Sequence, residues 1–195
     1  MLDGALAPGL LLATVRVLDP QFARSVVLLA VDDANGTFGW ILNGEVVGPI
    51  KPLLATSEIS PSGLLLPDSP SYRAMVRRGG PVSPQSAWVI FRCETDESKY
   101  SDVVLSQGWC GSGDSGLMRS IAIGEGPEVF RVVAGYAKWQ PGQLHAEVAA
   151  GAWLPVRFDP DVVFSGHEDS MWRRAYEQLV GVSPIAFMST GVVQA

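Results

Sequence analysis

The run from Gly135 to Val156, GYAKWQPGQLHAEVAAGAWLPV, constrains this chain more than any other stretch. It compresses a strand end, a tight turn, a short helix and a second apolar strand into one continuous segment. Pro141 suits the first turn of a helix, where its missing N–H would have no helical acceptor, and Gly151 suits the stop. Gln143 and Glu147 stand four apart and so share a helix face, with Trp139 and Trp153 on either side. His145 sits beside Leu144, at the edge of the stripe formed by Leu144 and Val148. Imidazole titrates near neutrality and serves as a general acid or base, but the sequence offers His145 no visible partner. A half-exposed helical histidine is the simpler reading.

The rest of the chain reads mainly as strands. Residues 10–15 and 26–31 are apolar runs, with a turn at Asp19-Pro20 between them. Asn35-Gly36 closes the second run and predicts a hairpin returning over 37–42, because both residues tolerate positive φ. Residues 48–70 are rich in Pro, Ser and Gly and read as a long surface excursion, with a short helical stretch at 51–55. Strands are expected at 72–77 and 87–91, separated by Gly79-Gly80-Pro81-Val82. A helix follows over 112–123, capped by Ser112 or Asp114 and ended before Gly124. Residues 129–137 form the clearest strand. Asp169 or Ser170 caps a last helix running to Val180 and stopped by Gly181, with Trp172, Ala175, Tyr176 and Leu179 as its apolar stripe. No repeat of solenoid period is present. The expectation is an α+β fold: one domain over residues 1–195, with a mixed, strand-rich sheet and about three main helices.

Composition excludes several function classes. A chain of 195 residues, 47% hydrophobic and 17% charged, has ample material for a core. The 14 basic residues are outnumbered by 20 acidic ones, for a net charge of −6. Such a chain repels phosphate backbones, and its best basic run, Arg73, Arg77 and Arg78, is thin. Direct nucleic-acid binding is therefore not expected. Two cysteines, Cys93 and Cys110, make no disulfide framework and suit a reducing, cytoplasmic setting. The apolar N-terminus lacks a basic leader and is broken by Pro8-Gly9. No stretch approaches the ~18 apolar residues of a membrane span, so none is expected.

Each chemical motif has a structural competitor. Gly113-Asp114-Ser115-Gly116 matches the string around a trypsin-like serine nucleophile, yet both histidines, His145 and His167, follow it rather than precede it. A capped helix start explains the same residues. Asp159, Asp161, His167, Glu168 and Asp169 gather carboxylates and an imidazole without any metal-ligand spacing, and a solvated loop is the better reading. Cys110, ahead of the 112–123 helix, could have the reactive thiolate that a helix N-terminus promotes, but no second cysteine lies near it in sequence. The Gly79–Val82 turn lacks the Lys-Ser/Thr signature of a nucleotide loop.

Taken in order, several segments resemble the AlgH/YqgE family of bacterial proteins. They are Pro8-Gly9-Leu10-Leu11-Leu12-Ala13, Asp19-Pro20, Phe22 to Leu28, and Asn35-Gly36 with Gly39 and Ile41-Leu42-Asn43. The Gly79–Val82 turn, Gly135-Tyr136-Ala137, Trp139, Pro141 to Leu144, Glu147, Trp153 and Trp172 complete the set. The resemblance implies a compact domain of strands and helices and a label of transcriptional regulator, drawn from a proposed role in alginate synthesis. It supplies no settled catalytic residue. The chain departs from the pattern at Gly44-Glu45, where Arg-Pro is usual, and at His145, where Glu is usual. Gly is usual at Lys138 and near Gln140. Family histidines near 31–33 and after Phe91 are absent.

Two functional readings follow. The first is a non-enzymatic binding or regulatory domain acting through a protein partner, with no catalytic residue, cofactor or metal. The second is a small-molecule-binding or hydrolytic enzyme with a pocket near Asn43, the Gly79–Val82 turn with its Gly79 and Gly80, and the Gln143/Glu147 face.

Overall fold

Continuous apolar strands need cover on both faces, and the first two strands of this chain have it. The structure is a computed structural model that describes residues 4–50, 74–93, 100–106, 108–164, 166 and 168–184. In chain order its strands are β1 (Gly9–Ala13), β2 (Val26–Asp33), β3 (Gly36–Ile41), β4 (Val46–Pro49) and β5 (Met75–Arg78). They continue with β6 (Val82–Arg92), β7 (Val103–Ser106), β8 (Trp109–Ser112), β9 (Phe130–Trp139) and β10 (Trp153–Arg157). The helices are α1 (Ser115–Ala122), α2 (Gln143–Ala149), α3 (Pro160–Phe164) and α4 (Glu168–Ala175), the last running into a π-helical turn at Tyr176–Val180. This is the expected strand-rich α+β class. The expected helix at 51–55 lies outside the described residues.

Two compact units divide the chain, Met1–Gly44 with Ala137–Ala195, and Glu45–Tyr136. The first is an antiparallel sheet in the order β10-β1-β2-β3, with Ala137–Trp139 of β9 beyond β3. One of its faces carries Leu11, Ala13, Val27, Leu29, Ile41, Ala137 and Trp139 against Leu144 of α2 and Trp153. Alternate residues Leu10, Leu12, Val26, Leu28 and Trp40 point the other way and are buried too. From α4 and the π turn, Trp172 Nε1 (2.7 Å) and Tyr176 Oη (3.2 Å) both donate to the Ala13 carbonyl. Gly181 ends the turn at φ 77°, as its position in the sequence suggested.

The β2–β3 hairpin forms where expected, for a partly different reason. Its loop residues are Ala34 and Asn35, held by an Asn35 N–H donated to Asp33 Oδ1 at 2.7 Å. Only Gly36 takes positive φ, at 118°, and a Cβ there would strike the Trp139 carbonyl oxygen. Glycine is required by close strand approach as much as by the turn. A second correction concerns the acidic stretch at 159–161. It is no loop: Asp159 Oδ1 accepts the Asp161 (2.9 Å) and Val162 (3.3 Å) N–H groups and so caps α3. Asp169 lies inside the first turn of α4, which opens at Glu168, and His167 is outside the described residues.

The second unit orders its strands β7-β8-β6-β9-β5-β4. All pairs are antiparallel except β5 with β9, which makes the sheet mixed. Leu117, Met118, Ile121 and Ala122 of α1 join Val89, Phe91, Val132 and Cys110 in its core. Asp114 caps α1 as expected, its Oδ1 accepting the N–H of Gly116 and of Leu117 (2.6 and 3.1 Å). Ser112 instead ends β8. Strand β4 was not expected, since 48–70 reads as an excursion. Its Gly48 and Pro49 are tolerated because, among the described residues, β4 pairs only with β5, through an irregular register.

Candidate functional site

The helix α2 brings Glu147 between two indoles. Glu147 Oε2 accepts the Nε1–H of Trp139 at 3.1 Å and of Trp153 at 2.7 Å. Its Oε1 accepts from Gln143 Nε2 at 2.8 Å, and Gln143 Oε1 accepts the Gln140 N–H at 3.0 Å. Both indoles are 4% exposed, so each N–H would be unsatisfied without this carboxylate. Trp139, Trp153 and Phe22 pack with centroids 5.8–6.2 Å apart, the two tryptophans edge to face. Leu144, the buried residue of α2, seats the helix with about 2 kcal/mol of apolar burial. The block is a bracket: strand, helix and strand joined through one anion.

The other expected site residues are engaged in the same way. Asn43 Oδ1 accepts the Val26 N–H at 2.8 Å, and its Nδ2 donates to the Arg24 carbonyl at 2.9 Å. That closes the loop before β2, where Arg24 holds positive φ at 57°. Gly79 and Gly80 belong to the second unit and lie against β9. Gly79 donates its N–H to the Ala134 carbonyl at 2.7 Å, and a Cβ on it would strike the Gly135 carbonyl oxygen. Gly135 itself holds φ at 74° with Gly80 and Val82 carbonyls against it. The structure joins Gln143 to Glu147 and gives Asn43 its own partners elsewhere in the first unit.

His145 does have a partner, contrary to the sequence reading. Its Nε2 lies 3.7 Å from Oδ2 of Asp32, whose side chain is 5% exposed. Asp32 also accepts the Leu6 N–H at 2.8 Å and the Thr37 hydroxyl at 2.6 Å. Asp32 stands on β2, far from His145 in sequence, so no local spacing signals the pair. The unit containing Ser115 has no histidine in its sequence, so Ser115 has no imidazole base there. Cys110 is 4% exposed, buried on β8 in the core that Leu117 and Met118 of α1 also enter. Among the described residues no cluster of three metal-ligating side chains occurs, and no helix is long and apolar enough to cross a membrane.

Sequence reading missed one concavity altogether. In the second unit, Ser86, Ala87 and Trp88 of β6, Asp102, Gly113 and Asp114 line a depression of about 460 Å³. The pairing of β6 with β8 places Trp88 beside Gly113, and no sequence spacing signals that meeting. Asp102 Oδ2 anchors the turn after β8 by accepting from Gly113 N–H (2.7 Å) and Ser112 Oγ (3.2 Å). Trp88 meets Tyr136 edge to face, with centroids 6.5 Å apart.

Comparison with known proteins follows the same outline. The AlgH-like family model matches residues 10–183. A UPF0301 protein of Anaeromyxobacter sp. (strain K) is 32% identical over 188 residues, covering 95% of this chain and 93% of its own. A UPF0301 protein of Ruegeria pomeroyi is 32% identical over 176 residues, covering 90% and 92%. Among solved structures, the solution structure of the AlgH protein from Pseudomonas aeruginosa superposes with a TM-score of 0.73 at 25% identity, over 99% of this chain and 97% of that one. A crystal structure of a Corynebacterium diphtheriae protein shares the fold at a TM-score of 0.66 and 20% identity, over 90% and 87%.

Proposed function

This chain belongs to the AlgH-like family, and we propose that it is a non-enzymatic binding domain acting in the cytoplasm through a protein partner, with any effect on transcription indirect. The observation that carries this reading is the closed network around Glu147. A general acid or base must face substrate with a free lone pair or proton, whereas both oxygens of this carboxylate already accept from buried or neighbouring donors. Asn43 and the Gly79-Gly80 turn are equally engaged by backbone. The net charge of −6 disfavours direct contact with a phosphate backbone. Val46, Val47 and Met75, exposed by 48, 55 and 46% on β4 and β5, supply apolar surface of the kind that protein partners cover.

Fluorescence anisotropy with labelled duplex DNA, including promoter fragments, tests the indirect part. The expected result is no binding beyond weak, sequence-independent association at low salt. Tight binding to one fragment that weakens steeply as salt rises would overturn it. Turnover of ester or phosphoester substrates by the wild-type chain, abolished in E147Q, would overturn the non-enzymatic part.

A further inference from the structure

The chain has two asparagines, Asn35 and Asn43, and each is followed by glycine. In Asn-Gly the backbone nitrogen of the glycine readily closes on the preceding carboxamide, because no Cβ obstructs the ring and the chain turns easily. By sequence the two dipeptides are equivalent. The fold makes them different.

Asn43 is held at both ends of its carboxamide. Its Oδ1 accepts the Val26 N–H at 2.8 Å, and its Nδ2 donates to the Arg24 carbonyl at 2.9 Å. Turning its Cγ towards the Gly44 nitrogen would break both bonds and release the loop before β2. Asn35 is exposed at the tip of the β2–β3 hairpin, with its backbone N–H donated to Asp33 Oδ1 at 2.7 Å. Among the described residues its carboxamide makes no hydrogen bond. Asp33 and Gly36 form the last pair of the β2–β3 ladder, so opening that one pair gives access to the Gly36 nitrogen.

We propose that Asn35-Gly36 is a site of spontaneous deamidation through a cyclic imide, and that the fold protects Asn43-Gly44 from the same reaction. The Gly36 nitrogen gives up its proton and bonds to Asn35 Cγ. The Cγ–Nδ2 bond breaks, and that nitrogen leaves as ammonia with the proton. Water then adds across one of the two carbonyl–nitrogen bonds of the ring. Opening at Cγ leaves aspartate at position 35. Opening at the main-chain carbonyl leaves isoaspartate, whose backbone runs through the former side chain. No oxidant or reductant takes part. Both products add a negative charge to a turn that already holds Asp32 and Asp33. Isoaspartate also lengthens the main chain by one carbon just before Gly36, where a Cβ would strike the Trp139 carbonyl oxygen. The reaction thus loosens the hairpin that carries Asp32 to His145.

Incubation of the full chain at mildly alkaline pH, in buffer and in concentrated urea, tests the proposal by peptide mapping. The readouts are the amide-to-acid mass gain at each asparagine and isoaspartate detected by enzymatic carboxyl methylation. In buffer Asn35 is expected to convert at least roughly tenfold faster than Asn43, as the two hydrogen bonds of Asn43 imply. In urea, where sequence alone acts, the two should convert within about threefold of each other. Asn35→Gln keeps a carboxamide but must close a larger ring, so it should form no isoaspartate at that position. Aged wild-type chain should melt below fresh chain, and aged Asn35→Gln should not. Asn43 keeping pace with Asn35 in buffer overturns the proposal. So does an Asn35 rate that buffer slows more than roughly tenfold relative to urea, because the hairpin would then protect it. A chain modified at position 35 that melts as the fresh chain does overturns the loosening.

Discussion

Glu147→Ala would strip the acceptor from two buried indoles at once. Each unsatisfied buried donor costs about 1–3 kcal/mol, so the variant should lose about 2–4 kcal/mol by urea denaturation, a large share of a typical domain's stability. Glu147→Gln should lose about half as much, because its amide nitrogen must face an indole N–H or the Gln143 amide, each a donor. A neutral result in both would show that the bracket contributes nothing. Tyr176 offers a pH test. Burial pushes its hydroxyl from 10.0 up to about 12. Between those values the unfolded chain has lost a proton that the folded chain keeps, so stability present below about pH 10 falls as pH rises towards about 12. The slope is about 1.4 kcal/mol per pH unit, and Tyr176→Phe should remove this contribution while other groups' alkaline loss remains. Paired denaturation curves at mild and strongly alkaline pH check it.

At the scale of elements, Asp114 marks what sequence can and cannot say. Its cap was legible, because Asp before Ser-Gly and an apolar run has a local cause, and Asp114→Ala should cost about 1 kcal/mol in thermal or urea unfolding. That Asp114 also borders the depression was illegible, since Trp88 reaches Gly113 only through the pairing of β6 with β8. The strands β1 and β2 were readable because cover on both faces leaves an unbroken apolar run. Strand β4, with Gly48 and Pro49 inside it, defied propensity because an edge strand with an irregular register tolerates both. The pair of Asp32 with His145 joins positions far apart in sequence, and only the placement of β2 beside α2 creates it. The link from Glu147 to Trp139 and Trp153 had a local signal that was available: two indoles at short range, each needing an acceptor.

For the whole molecule, the likeness to AlgH-like proteins spans nearly the full chain, and the fold is shared with the solved AlgH structure. Within this chain Asn43, Gly79, Gln143 and Glu147 all make hydrogen bonds inside their own units. On β4 and β5, Val46, Val47 and Met75 leave apolar surface exposed. The central claim is that this chain binds a partner and transforms no small molecule. Its most direct test is the melting temperature of the wild-type chain across nucleotides, divalent metals and common organic cofactors, each at a concentration that would saturate a physiological site. A flat profile, within about one degree throughout, is the predicted result. Stabilisation by several degrees with one of them, corresponding to the ~2.7 kcal/mol that a ligand at a hundred times its Kd confers, would contradict the account.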